Sequence, residues 1–172
     1  MSHRLIALPL VALIAPAYAT TYLSVEQAQA QLFPGQTLVA QPRTLDAAQM
    51  AAITKAAGVS PLSPQLNAWR ASGGGWLIVD RVVGKHEFIT FAVALNAAGA
   101  VTDVEILDYR ETYGQQVREP SWRAQFVGKQ AGAPLQLGQD VRNISGATLS
   151  SKHVTDGVRR VLATYALVLA HG

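Results

Sequence analysis

No cysteine occurs anywhere in the 172 residues. That absence removes disulfides, a lipidated cysteine, c-type haem attachment and ordinary iron–sulfur ligation together. Any redox chemistry would have to reside on an organic cofactor. Charge is sparse as well: Lys and Arg number 14, Asp and Glu 11, and the formal net charge is +3. No basic cluster runs longer than Arg159 and Arg160, so nucleic acid is not an implied partner. The four histidines (His3, His86, His153 and His171) are scattered, which argues against a metal site. No nucleophile–histidine–acid pattern stands out, and Gly146, Ala147 and Thr148 do not form a hydrolase elbow, so no catalytic residue is assigned. Internal repeats and low-complexity tracts are missing too.

What is present begins with Arg4, an apolar run from Leu5 to Tyr18, and Ala17 and Ala19 in a small-x-small arrangement. A positive start, a short apolar stretch and such a site describe a secretory signal peptide over 1–19, cleaved after Ala19. The run falls short of the roughly 20 apolar residues of a bilayer span. An uncleaved anchor in the inner membrane is the alternative. The remainder suits one domain with a real core. It divides into an N-terminal helical and extended segment, 20–75, and a core over 76–172.

Along the first segment, Ser24 and Gln27 fit a capping box, predicting a helix to about Phe33 that Pro34 and Gly35 stop. Residues 37–41 read as a brief strand. Leu45 to Ala57 reads as a helix with Thr44 as cap and Gly58 as stop. The core is β at first. Trp76 to Val83 is rich in branched residues, and Glu87 to Leu95 puts Ile89, Phe91, Val93 and Leu95 on one face. After a hairpin-sized turn, Val101 to Tyr109 sets Val104 and Ile106 opposite Asp103 and Glu105, a half-solvated strand. Short connections make the three an antiparallel meander. Pro120 opens a short helix through Phe126. A long C-terminal helix, about Leu149 to Ala170, carries Val154, Val158, Val161, Leu162, Tyr165 and Leu169 at helical spacing. The fold class is α+β: an antiparallel sheet packed against helices in a single domain.

The most informative segment precedes that helix. Ser145, Gly146, Ala147, Thr148, Leu149, Ser150 and Ser151 put hydroxyls and minimal bulk where the helix begins. The first N–H groups of a helix lack internal partners and that end is partly positive, which suits a phosphate. Ser145 or Thr148 is also placed to cap the helix. These residues resemble the FMN-attachment motif of the FMN-binding domain family, which includes flavoprotein subunits of the Rnf complex and of the sodium-pumping NADH:quinone oxidoreductase. Two upstream segments share the resemblance. Glu111, Thr112 and Gly114 match the family's His-x-Glu-Thr-Pro-Gly pattern, with Tyr109 where its histidine stands and Tyr113 in place of its proline. Trp122, Gln125, Phe126 and Gly128 resemble its aromatic-x-x-Gln-Phe-x-Gly stretch. The resemblance runs from Trp76 to Val161. The family shows an aspartate three residues before the motif serine; here that position is Arg142, and Asp140 lies two residues earlier.

The resemblance implies an exported flavoprotein with FMN on Thr148 through a phosphoester bond, and Ser145, Gly146, Ala147, Leu149, Ser150, Glu111, Thr112 and Gly114 around the cofactor. It implies a periplasmic electron carrier more than a stand-alone enzyme, a membrane redox partner, and attachment by a periplasmic FMN transferase of the ApbE type. Tyr109, Tyr113 and Trp122 are candidates to stack on the flavin ring, with core packing as the alternative for Trp122. Lys152 and His153 sit in the first turn after the motif, in reach of the phosphate or simply on a solvated face. Two other functions stay open: a flavin-free accessory module, and a flavin reductase-like enzyme with exchangeable FMN.

Overall fold

The computed structural model describes residues 20–171; the expected export signal lies outside the described residues. Seven strands form an antiparallel sheet: β1 (Thr20–Thr21), β2 (Leu38–Ala40), β3 (Arg43–Thr44), β4 (Gln65–Ala71), β5 (Trp76–Val83), β6 (Phe88–Leu95) and β7 (Val101–Tyr109). Their order is β1-β7-β6-β5-β4-β2, and β3 pairs with β4 beside β2. The expected meander is the centre of this sheet, with Ile78 opposite Val93 and Val93 opposite Val104. Strands from 20–75 extend it at both edges.

The helices are α1 (Val25–Leu32), α2 (Ala47–Ala57), α3 (Pro120–Arg123) and α4 (Thr148–Thr164), the last continued by a wide π-type turn over Tyr165–Leu169. The Ser24 capping box is formed, with Gln27 N–H donating to Ser24 Oγ at 3.2 Å. At α2 the cap is Asp46 and not Thr44, because Asp46 has Gln49 three residues on and makes the reciprocal pair. Thr44 instead pairs with Gln65 in the sheet. Gly58 ends α2 in the left-handed conformation, as its position predicts.

Alternation along the central strands decides which helix covers which face. Ile89, Phe91, Val93 and Leu95 are fully buried with Val154, Val158, Val161 and Leu162 of α4 in one cluster. The opposite face, through Leu77, Ala92, Ala94 and Leu107, packs on Ala28 and Phe33 at α1. Each large side chain so buried contributes about 1.5–3 kcal/mol of transfer free energy. Covering both faces corrects one expectation. Glu105 does not face solvent: it is 9% exposed, pairs with Arg123 at 2.5 Å and accepts from Gln31 at 3.2 Å. No helix among the described residues is long and apolar enough to cross a membrane.

Candidate functional site

The two motifs, some 35 residues apart in sequence, meet at one end of the sheet. Strand β7 ends at Tyr109, whose hydroxyl donates to the Tyr113 carbonyl and lies 2.9 Å from Ser150 Oγ in the first turn of α4. That bond ties the Glu111–Gly114 segment to the helix start. Gly114, at φ +99, sits against the Tyr109 hydroxyl and Ser150 Oγ; a Cβ there would collide with both. Its role is therefore close packing of the segment against the helix, and Ser150, 5% exposed, is a structural hydroxyl of the same junction.

Around this junction lies a cavity of about 510 Å³ lined by Lys85, His86, Glu111, Thr112, Tyr113 and residues 146–150. The volume falls in the range of small-molecule sites. On its floor α4 begins. Ala147 is the N-cap, and no side chain caps the helix, so neither Ser145 nor Thr148 takes the capping role. Thr148 is the first helical residue and is exposed; its Oγ1 accepts from Asn143 Nδ2 at 3.1 Å. Gly146 precedes it at φ +80, with open space where a side chain would project. Ser145 and Leu149 are exposed, and Ala147 is buried.

Glu111 does something the sequence did not announce. Its Oε1 accepts from the backbone N–H groups of His86, at 2.5 Å, and Glu87, at 3.0 Å, in the turn between β5 and β6. Burial raises its pKa, but the N–H donors of Glu87, His86 and Lys85 outweigh this and hold the carboxyl below its usual value. Lys85 and His86 are thereby brought beside the motif. Nothing in the local sequence marked them, since the signal is a long-range bond to a carboxylate 25 residues away.

Other candidates fall elsewhere. Trp122 is 3% exposed, meets Phe126 edge-to-face at 5.2 Å and donates from Nε1 to the Arg142 carbonyl, so it is core. Tyr109 is likewise buried, which leaves Tyr113, 81% exposed on the cavity wall, as the aromatic free to stack. Lys152 pairs with Asp156 at 2.6 Å and lines a different cavity, beside α2. His153 borders a third, small cavity with Ser60 and Arg160. Asp140 organises its own loop: it accepts from the N–H groups of Leu135 and Gln136 and pairs with Lys129 at 3.2 Å. Among the described residues no group of His, Asp and Glu could hold a metal ion.

The residues present fit a flavin mononucleotide. An exposed hydroxyl at a helix start without a side-chain cap, an open glycine beside it and two basic side chains suit a phosphoryl group. An exposed tyrosine suits a flat ring. No curated protein matches the chain. Residues 84–163, which contain Lys85, His86, the Glu111 segment and the Thr148 motif, match the model of the FMN-binding domain. Residues 84–163 thus resemble the FMN-binding domain, and that match indicates FMN as the cofactor.

Proposed function

We propose that the protein is an exported electron carrier whose FMN is covalently attached to Thr148, serving a membrane redox system. The observation that carries this reading is the placement of Thr148, exposed at the first position of an α4 that no side chain caps, in the cavity that also holds Glu111, Thr112 and Tyr113. The Thr148 hydroxyl is held by Asn143 and is free to act as a nucleophile in a flavin transferase of the ApbE type, with FAD as donor. Thr148 Oγ attacks the phosphorus of the FMN half; the new P–O bond forms and the pyrophosphate bridge breaks. AMP leaves with the bridging oxygen, and the threonine proton is released. Attachment keeps a small cofactor from being lost outside the cytoplasm. Bound FMN supplies reversible uptake and release of electrons. The chain's own part is to anchor the phosphoryl group at the start of α4 and to flank the ring with Tyr113.

Denaturation after co-expression with the transferase tests the reading. Yellow colour that stays with precipitated protein is the expected result. Flavin released to the supernatant would favour the reductase-like enzyme, and protein without flavin absorbance the accessory module.

A further inference from the structure

We propose that Lys85 and His86 form the phosphate-binding half of the site, and that Glu111 is the positioning residue that carries their turn to it. The inference rests on FMN binding with its phosphate at the start of α4, and names which side chains neutralise that group. A phosphodiester at Thr148 bears one negative charge. Lys152 is committed to Asp156, His153 lines another cavity, and Arg142 lies with Trp122 and Ser121 around a separate hollow. The cationic or ionisable nitrogens lining the Thr148 cavity are those of Lys85 and His86.

Their place is built. The turn closes through Gly84 N–H donating to the Glu87 carbonyl at 2.7 Å. Glu111 then grips it from outside through the His86 and Glu87 N–H groups. Glu111 itself follows β7, whose terminal Tyr109 is fastened to Ser150 of α4. One five-residue stretch, Tyr109 to Tyr113, therefore holds the basic turn by one bond set and the helix start by another. The carboxylate commits Oε1 to the backbone N–H groups of His86 and Glu87, and through them it acts on the cofactor by way of the turn.

The test uses the full-length Thr148→Val protein, which cannot be flavinylated at that position, titrated with FMN and with riboflavin, the same ring without phosphate. The parent is expected to prefer FMN. Lys85→Gln with His86→Gln should weaken FMN about tenfold, as loss of charge-assisted hydrogen bonds does, and leave riboflavin unchanged. Glu111→Gln should lose the same preference with riboflavin affinity retained, and Glu111→Asp should restore part of it. General unfolding would lower both affinities together, which would overturn the positioning role. A double variant that keeps the preference for FMN would overturn the proposal. So would a parent that shows none, while flavin mass on wild-type Thr148 separately decides the attachment reading.

Discussion

Glu111 links ionisation to the shape of the site. The backbone N–H donors of Glu87, His86 and Lys85 hold its folded pKa below the usual glutamate value, so its contribution to stability is present above the unfolded pKa and is lost as pH falls through the folded pKa. Glu111→Gln should therefore lower the urea midpoint at pH 7, and the gap to wild type should narrow as pH falls through the acid range. A gap that does not narrow at all with falling pH would mean that the carboxylate is not what holds the turn. Gly146 is a second residue whose demand is conformational. At φ +80 a β-branched side chain is strained by about 1–2 kcal/mol, whereas asparagine tolerates this region. Gly146→Val should abolish flavin incorporation while the sheet still folds. Gly146→Asn should keep more of it, if backbone angle matters more than bulk. Equal, normal loading of both variants, read by intact mass, would remove the loop from the phosphate site.

Between helix and sheet, α4 lies close to β5 and β6 at Gly157. A Cβ there would stand 2.6 Å from Phe91 Cζ and 2.8 Å from Val82 Cγ1. Gly157→Ala gains about 1 kcal/mol of helix propensity but overpacks by about 1–3 kcal/mol. A net fall in the thermal midpoint is expected; a rise would show that the helix moves outward freely. Elements like these were legible where their periodicity was strong. β5, β6 and β7 carry branched residues at period two, and α4 has its stripe at 3.6. β4 was not read, because Asn67, Ala68 and Ala71 have weak strand preference and its partners are distant in sequence. Thr44 reads as the cap of α2 in the sequence, but the sheet claims it and Asp46 takes the role.

For the molecule as a whole, Arg160 joins three layers. Its guanidinium meets Asp80 of β5 at 2.7 Å and also donates to the carbonyls of Arg81 and Ser60. Arg160→Leu leaves a half-buried carboxylate unpaired and should cost about 2–3 kcal/mol, and lysine cannot reproduce the fork. Chemical denaturation of both variants measures it. The candidate site was legible as motifs, since hydroxyls and glycine at a helix start announce phosphate chemistry locally. Its assembly was not: the turn of Lys85 and His86, the Tyr109–Ser150 bond and the removal of Trp122 to the core are long-range facts. The proposed export has its own test: N-terminal sequencing of periplasmic material should begin at Thr20. Peptide mapping of the protein co-expressed with the flavin transferase bears most directly on the central claim. The account predicts one FMN increment on the peptide containing Ser145 to Ser151, localised by fragmentation to Thr148 and absent in Thr148→Ala. An increment on any other residue, or none at all, would contradict it.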